Sequence, residues 1–266
     1  MASALYLSDD LINAIRLPDD RLAQGECHLS LSLLCGMKAE PLVNLHTGGV
    51  TGHEFLSLLP AGICSETYFR EQSAAALAEL FLLQLVLSNG LATGRRFFNL
   101  PVRVLVSAYL CEVLCSRALK GVVIEIQDPE ILLALSPVQL LHLRRNLNRF
   151  RLSGAAVYAD DVTPGLLPLL TRMSLPLSGL KISRHEFRTR CCDTRFLQGL
   201  SGVRRTGAET EFCSVAEGIE TPAQSLLAAL AGFTHGQGWQ WPAEIWPFLR
   251  PGGMPLSVGR ADNIPE

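Results

Sequence analysis

The sequence lacks several features that would assign it to large classes of protein. No apolar run approaches the roughly 20 uncharged residues of a membrane helix. The N-terminus, MASALYLSDDLINAIRL, has neither the basic start nor the small-residue cleavage site of a signal peptide. The 23 Lys and Arg are balanced by 25 Asp and Glu, so no basic footprint for nucleic acid is present. We therefore expect a cytoplasmic protein that binds neither a membrane nor DNA or RNA.

The eight cysteines form no paired framework. No Cys-x-x-Cys pair occurs, although Cys111 and Cys115 share one helix-like segment and Cys191 and Cys192 are adjacent. This pattern indicates neither a zinc knuckle nor a redox motif. We expect reduced thiols that pack as small hydrophobic groups.

Short β-like runs alternate with longer helix-like segments, such as residues 70–90 and 136–154. The 266 residues, 48% of them hydrophobic, suffice for one large domain or two small ones. The β-like runs are residues 28–34, 48–56, 95–101, 121–127, 155–161, 178–183, 211–219 and 232–239. Eight such runs with interposed helices predict an α/β fold, a TIM-type (β/α)8 barrel, more than an open doubly wound sheet.

The first pair of runs departs from this alternation. Residues 42–55, LVNLHTGGVTGHEF, have the pattern of a hairpin with a Gly-rich turn. One strand near the N-terminus is therefore predicted to run antiparallel to the others. We expect residues 1–27 to form a helical lead-in, residues 28–250 a single barrel domain, and the Pro- and Gly-rich residues 251–266 a flexible tail.

Polar side chains stand at or just beyond the carboxyl ends of these runs. In a barrel, those ends meet on one face, where catalytic groups gather. Three or four carboxylates, an amide oxygen and a lysine suit hard divalent cations, and two-metal hydrolysis of a phosphodiester uses such groups. The residues concerned are Glu54, Asn99, Glu125, Asp160, Asp161, Lys181, Glu217 and Gln237.

Each of these residues also has an ordinary structural explanation. The adjacent Asp160 and Asp161 could belong to a solvated turn, or they could be paired carboxylates that a cation or a proton keeps together. Lys181 could lay its apolar stem along the surface, and Gln237 could cap a backbone group. The residues alone leave these alternatives open.

The same residues, taken in order from about residue 33 to residue 249, resemble the EAL-domain family. Members of this family are bacterial phosphodiesterases that convert cyclic di-GMP to a linear dinucleotide. The motifs are EPLVNLHTGGVTGHEFL with Glu54 at the signature position, NLP with Asn99, VVIEI with Glu125, YADD with Asp160 and Asp161, LKIS with Lys181, VAEGIET with Glu217 and Glu220, and GQGW with Gln237. Each motif is short, but their order along the whole chain is specific.

The resemblance implies Mg²⁺ or Mn²⁺ as cofactor, in a two-metal site. It implies cyclic di-GMP as ligand and a homodimer as the assembly. One ion would be bound by Glu54, Asn99, Glu125 and Asp160, and a second would be shared by Asp160 and Asp161. Catalysis would involve Lys181, Glu217 and Asp161, and the site would be supported by Gln237, Glu220 and Asp128.

Several positions depart from the family's pattern around the substrate. Leu58 stands where the family has an arginine that contacts a substrate phosphate, so a bidentate, charge-assisted contact is missing. Glu40 replaces a glutamine, and Ser183 replaces the Asp of a K-I-D motif. After the paired aspartates, Val162, Thr163 and Pro164 replace the start of a flexible Gly- and Ser-rich loop. Asp128 stands where a loop-anchoring Glu is expected.

These matches and departures support two hypotheses. In the first, the chain is a metal-dependent phosphodiesterase that hydrolyses cyclic di-GMP to linear pGpG, weakly or with the help of a partner. In the second, it is a catalytically inactive family member that acts in bacterial signalling by binding another protein, such as a regulator or transcription factor. The apolar residues 165–180 are a buried helix and strand in the first hypothesis. If exposed, they would be a partner or dimer surface.

Overall fold

A computed structural model of the chain describes residues 4–193, 195 and 212–249. The described residues fall into two compact units. Unit 1 takes in residues 4–39, 55–89 and 244–249, and unit 2 takes in residues 40–54 and 90–243 with the gaps just given. Residues 251–266, for which a flexible tail was expected, lie outside the described part of the chain.

Strands and helices alternate along the described residues. The strands are β1 Leu5–Tyr6, β2 Gly36–Asn44, β3 Val50–Leu58, β4 Arg95–Pro101, β5 Val122–Gln127, β6 Ala156–Val162, β7 Gly179–Ile182, β8 Cys213–Ala216, β9 His235–Gly236 and β10 Glu244–Leu249. The helices are α1 Asp9–Ile15, α2 Ser65–Glu71, α3 Ala74–Leu87, α4 Val102–Leu105, α5 Ala108–Cys115, α6 Pro137–Leu152, α7 Leu167–Met173, α8 Arg184–Arg190 and α9 Pro222–Leu230. Asp19–Arg21 and Pro129–Ala134 are 3₁₀ helices. None of the described helices has the length and apolar character needed to cross a membrane.

Unit 2 contains a closed barrel of eight strands. The strands follow in the order β2 to β9, and β9 pairs with β2 to close the barrel. Every pair from β3 to β9 is parallel, whereas β2 runs antiparallel to β9, with Val43 opposite Gly236. The predicted (β/α)8 barrel with one reversed strand near the N-terminus is therefore confirmed.

The barrel interior is filled by alternate side chains of its strands. Leu42, Phe97, Val123, Tyr158 and Val215 are buried in one cluster, and the Phe97 and Tyr158 rings meet edge to face at 5.4 Å. These apolar residues precede the polar strand ends, so the core is packed below the face that carries them.

Local signals explain where the helices of the barrel begin. Ser136 and Gln139 form a capping box at the start of α6, and Thr221 and Gln224 form another at the start of α9. A proline follows each cap residue, at a position where its missing N–H costs nothing. The helix expected over 136–154 is thus observed as α6.

Unit 1 is organised around α3, in which residues 74–85 are buried on all sides. Buried at its centre, the Glu79 carboxylate accepts hydrogen bonds from the backbone N–H groups of Leu17 and Leu29, each at 2.8 Å. Arg16 Nη1 donates to the same carboxylate at 2.8 Å. In the same unit, β10 pairs with β1 in parallel and with the start of β2 antiparallel.

Three of the predicted elements differ from the structure. Residues 28–34 are not a strand, because the Leu29 N–H donates to the Glu79 side chain and Leu34 N–H closes a turn onto Leu31. The helix-like residues 70–90 divide at Ser73, whose side chain caps α3. The predicted strand 232–239 is reduced to β9. The expected division at residue 27 stays a prediction, with α1 lying before it.

Candidate metal centre

The carboxyl ends of the barrel strands bring the predicted polar residues together in unit 2. Successive parallel strands place the residues near their carboxyl ends side by side, as Asn99 opposite Glu125 illustrates. The strands contribute Glu54 from β3, Asn99 from β4, Glu125 from β5, Asp160 from β6 and Lys181 from β7, while Glu217 follows β8 and Gln237 follows β9.

Lys181 lies at the centre of this cluster with only 1% of its surface exposed. Its Nζ is 2.6 Å from Glu217 Oε1 and 2.9 Å from Glu54 Oε2. It is also 3.2 Å from Glu125 Oε1 and 3.3 Å from Asp160 Oδ1. Burial alone would lower the pKa of Lys181, but the surrounding carboxylates raise it well above its usual value, so the ammonium is charged.

Glu54 has the most donors of the four carboxylates. Asn99 Nδ2 donates to its Oε1 at 2.7 Å, and Gln237 Nε2 donates to its Oε2 at 2.6 Å. Burial would raise the pKa of Glu54, but Lys181 and these hydrogen bonds lower it to about 2. Glu54 is therefore ionised at neutral pH.

The other carboxylates experience the opposite balance. Burial raises the pKa of Asp160 to about 6, with Lys181 opposing the shift and Glu54 and Asp161 adding to it. Burial and mutual repulsion raise the pKa values of Glu125 and Glu217 well above the usual range, although Lys181 opposes both shifts. The carboxylates of the cluster thus carry more negative charge than the Lys181 ammonium neutralises. Binding of a further cation or of protons is therefore favoured.

Buried oxygens without hydrogen bonds indicate whether the cluster suits a metal ion. Both Glu125 oxygens, Asp160 Oδ1, Asn99 Oδ1 and Gln237 Oε1 are buried without a hydrogen bond. The Lys181 distances to Glu125 and Asp160 given above are ion-pair contacts without hydrogen-bond geometry. Buried acceptors without a partner are costly and rare. Because Glu54, Glu125 and Asp160 each offer an oxygen within 4.8 Å of the others, this donor set suits a hard divalent cation.

Asp161 and Asp128 lie outside that triad. A register shift interrupts the pairing of β6 between Ala159 and Val162, and Asp161 adopts φ +46° there with its side chain exposed. Asp128 is likewise exposed with φ +49° and precedes the 3₁₀ helix after β5. The structure groups the expected ligands of one ion, whereas the expected second site, shared by Asp160 and Asp161, stays a prediction.

A cleft opens beside Glu217 and Gln237. Its charged lining residues are three glutamates and one arginine, and the full lining consists of Glu40, Arg184, Glu217, Gly218, Glu220, Gln237, Gly238 and Trp239. Gln237 Nε2 donates to Glu40 Oε2 at 3.1 Å as well as to Glu54, so the amide links the cleft to the cluster. Glu220 forms an ion pair with Arg188, whose guanidinium lies 5.5 Å from the ring centre of Trp239.

The sequence gives no role to Arg184, and it favours Trp239 as a residue that closes the core over one that stacks on a base. Trp239 is 74% exposed at the edge of the cleft. A signal for Arg184 was available, because it comes two residues after the end of β7, on the face where barrel enzymes place functional groups. Its methylene groups pack on Gly218, where an added Cβ would lie 2.4 Å from Arg184 Cγ.

The positions expected to alter substrate binding differ in burial and in the unit to which they belong. Ser183 is buried and caps α8 through the Glu186 N–H at 3.3 Å. Val162 is completely buried, and Thr163 and Pro164 are half-buried directly after it. Leu58 ends β3 in unit 1 and accepts a backbone hydrogen bond from Cys35 there.

Comparison with solved structures gives the same fold. The FimX EAL domain from Pseudomonas aeruginosa, bound to c-di-GMP, is 16% identical, with a TM-score of 0.62 over 78% of this chain and 90% of that one. The EAL domain of Mycobacterium smegmatis DcpA is 21% identical, with a TM-score of 0.53 over 86% and 94%. Klebsiella pneumoniae BlrP1, in a manganese/cy-diGMP complex, is 21% identical, with a TM-score of 0.52 over 84% and 61%.

The chain spans 61% of the EAL enzyme Bd1971 in its cGMP-bound form. No curated protein matches the sequence. A family model described as EAL domain matches residues 36–242, which is well over half of the 266 residues. The matched range contains every strand end that contributes to the cluster and the whole lining of the cleft. The chain belongs to the EAL domain family.

Proposed function

We propose that the chain is a metal-dependent phosphodiesterase that hydrolyses cyclic di-GMP to linear pGpG. One observation carries this proposal. The buried oxygens of Glu125, Asp160 and Asn99 lack hydrogen bonds and lie in an acidic cluster with excess negative charge. A fold retains such a cluster at a cost in stability unless a cation binds there.

The ligands proposed for one ion are Glu54, Asn99, Glu125 and Asp160. When bound, Mg²⁺ or Mn²⁺ would supply an activated water and offset the charge that develops on the phosphate. Asn99 and Gln237 orient the Glu54 carboxylate through their hydrogen bonds. Lys181, at 2.6 Å from Glu217 and 2.9 Å from Glu54, holds these carboxylates in place and provides positive charge at the reacting phosphate.

The cleft supports a nucleotide ligand in two respects. Trp239 offers an exposed aromatic face on which a guanine could stack. Arg184 is the one cationic side chain in the lining and could donate two parallel hydrogen bonds to a phosphate. The homodimer implied by the family resemblance stays a prediction.

A second candidate function is protein binding without turnover, as expected of an inactive family member in bacterial signalling. The charge of the lining favours it, because Glu40 repels a dianionic cyclic dinucleotide and Arg184 is the one cationic residue of the lining that could hold it. The apolar residues 165–180 do not add to this case, since Leu166, Leu170, Leu175 and Leu180 are buried.

The experiment that tests the proposal measures conversion of cyclic di-GMP to pGpG by the purified full chain with Mg²⁺ or Mn²⁺. Glu54→Ala removes a proposed ligand, and Glu112→Ala on α5 serves as a matched surface control. Binding of Mn²⁺ is measured in parallel by calorimetry.

We expect turnover in the native protein and in Glu112→Ala, and none in Glu54→Ala. Absence of turnover in a native protein that binds Mn²⁺ would contradict the enzymatic proposal and favour the protein-binding function. Absence of both turnover and Mn²⁺ binding would contradict the metal centre as well.

A further inference from the structure

A second cluster of reactive side chains lies at the other ends of β8 and β9. Cys213 is the first residue of β8 and His235 the first of β9, whereas Glu217 and Gln237 follow the opposite ends of these parallel strands. Thr234 and Tyr158 complete the cluster. This cluster shares no residue with the metal centre or with the residues proposed for phosphodiesterase activity.

The distances place the sulfur against an imidazole. Cys213 Sγ is 3.1 Å from His235 Nδ1 and 3.5 Å from Thr234 Oγ1. His235 Nδ1 is itself 2.9 Å from Thr234 Oγ1. Cys213 is 9% exposed and belongs to the apolar cluster of the barrel, and His235 beside it is half-buried.

The hydrogen bonds of Thr234 indicate where the imidazole proton lies. Thr234 Oγ1 donates its one proton to the Ser214 carbonyl at 2.9 Å and accepts from the Ser214 N–H at 3.0 Å. The contact between Thr234 Oγ1 and His235 Nδ1 therefore needs a proton on the nitrogen. The same nitrogen lies 3.1 Å from Cys213 Sγ, so its hydrogen is shared between the Thr234 oxygen and the sulfur.

Tyr158 provides a second donor to the same sulfur. Burial raises the pKa of Tyr158 well above its usual value, and its hydrogen bond with Cys213 raises it further, against the opposing charge of Arg95. The Tyr158 hydroxyl thus keeps its proton and can donate it. Arg95 Nη1 lies 3.5 Å from this hydroxyl and adds positive charge. Hydrogen-bond donors directed at a sulfur stabilise its thiolate form.

We propose that Cys213 is a modification site, a thiol activated by His235 that reacts with small electrophiles and with peroxides. In the peroxide reaction, the Cys213 sulfur attacks one oxygen of hydrogen peroxide, the O–O bond breaks, and a sulfenic acid forms. Before the attack, the thiol proton passes to His235, which becomes an imidazolium. The leaving hydroxide then takes a proton from this imidazolium and departs as water. The sulfur is oxidised by two electrons and the peroxide is reduced by two.

The test is a short pulse of iodoacetamide on the folded full chain across a range of pH, followed by peptide mass spectrometry of each cysteine. An ordinary thiol loses about tenfold in alkylation rate per pH unit below its pKa of about 8.5. We expect the Cys213 rate to fall less than about threefold between roughly pH 8 and 6.5 in the native protein, and about tenfold or more in His235→Gln. The exposed Cys27 and Cys192 are reference thiols in the same sample.

Hydrogen peroxide with dimedone as a trap gives a second readout. We expect the sulfenic acid adduct on Cys213 before Cys27, and its loss in Cys213→Ser. Labelling of Cys213 only after unfolding in urea, or an identical pH profile in the native protein and His235→Gln, would overturn the proposal. If circular dichroism shows that His235→Gln does not fold, Tyr158→Phe takes its place, because it removes the second donor and keeps the ring. An unchanged profile there would then overturn it.

Discussion

Replacing Lys181 tests whether positive charge, from the lysine or from a metal ion, stabilises the acidic cluster. Lys181→Met removes the one ammonium that lies within 3.3 Å of four carboxylates. We expect the metal-free protein to lose about 3–5 kcal/mol in its free energy of unfolding, because buried carboxylates lose their counter-charge. Mn²⁺ should recover more stability in this variant than in the native protein. Denaturant unfolding with and without Mn²⁺ measures both effects.

The matched control is Lys120→Met, which makes the same substitution at an exposed lysine. We expect a change within about 0.5 kcal/mol there. Equal stability of the two variants would mean that Lys181 does not hold the carboxylates together.

In unit 1, the buried charged residue that corresponds to Lys181 is Glu79. Glu79→Leu leaves the backbone N–H groups of Leu17 and Leu29 without their acceptor, whereas Arg16 keeps its hydrogen bond to the Leu29 carbonyl. We expect a loss of about 2–6 kcal/mol in the free energy of unfolding, since each of the two buried N–H groups costs about 1–3 kcal/mol when it loses its acceptor. Urea unfolding measures it. The control Glu66→Leu alters an exposed pair with Arg70, and a loss of the same size there would contradict the role given to Glu79.

His28 makes the stability of unit 1 depend on pH. Asp19, hydrogen-bonded at 2.6 Å to its Nε2, raises the pKa of His28, and Glu79, at 2.6 Å from its Nδ1, adds to the rise. Because the folded pKa is raised, the stabilisation is fully present below about pH 6.5, the unfolded value, and is lost as the pH rises through the folded pKa.

The variant His28→Gln should therefore be less stable than the native protein in mildly acidic solution, and the difference should shrink in alkaline solution. Urea midpoints at several pH values measure this difference. His142→Gln, on the exposed side of α6, is the control. A difference that grows with pH would show that the sign is wrong.

At the scale of elements, the close approach of β3 to the start of β4 depends on a residue without a side chain. Gly94 has φ +85°, and a Cβ there would lie 2.3 Å from the Thr51 carbonyl oxygen. This contact lies beside the pairing of Gly52 with Arg95, two residues before Glu54. A side chain at residue 94 would therefore separate β3 from β4 and displace a proposed metal ligand.

The variant Gly94→Ala should be compared with Gly121→Ala. Both glycines have positive φ, but a Cβ at Gly121 meets nothing within 4 Å. Each variant carries the strain of a left-handed residue, about 1–2 kcal/mol, and Gly94→Ala adds a backbone clash of about 1–3 kcal/mol. Thermal unfolding measures the difference, and calorimetry with Mn²⁺ should show weaker binding only in Gly94→Ala. Equal losses would contradict the close approach of β3 and β4.

The α3 helix illustrates what an element-level pattern can conceal. Its sequence AAALAELFLLQLVL is apolar on every side, which predicts a buried helix. The same pattern gives no partner for Glu79. Its partners come from residues 62, 51 and 50 positions away along the chain, so the satisfaction of this carboxylate is a tertiary property.

At the scale of the whole molecule, divalent ions should stabilise the folded chain. An ion that binds only the folded state adds about 2.7 kcal/mol when its free concentration is about 100 times its Kd. We expect Mg²⁺ or Mn²⁺ to raise the Tm and EDTA to reverse the rise. The conservative variant Glu125→Gln should lose most of this shift, because it removes a carboxylate with two buried oxygens that lack hydrogen bonds. An unchanged Tm with either ion would argue against the metal centre.

Much of the candidate site could be predicted because each residue comes after the apolar start of its own strand. Glu125 follows VVI and Asp160 follows VYA, and a run of that kind determines both the strand and the place of its first polar residue. Arg184 and the pair of Cys213 and His235 escaped prediction for a different reason. Their neighbours lie on other elements, and no spacing within one segment reports such contacts.

The sequence by itself determined the barrel, the reversed strand and the order of polar residues around one face, since these follow from local alternation and from turn residues. Only the tertiary structure decided which polar atoms meet. It brought Glu54, Glu125 and Asp160 within 4.8 Å of one another around Lys181, and it left Asp161 exposed beyond an irregularity in β6. The reason is physical. Alternation specifies the face of a strand, but distances of a few ångströms depend on register, twist and packing between strands that are far apart in the chain.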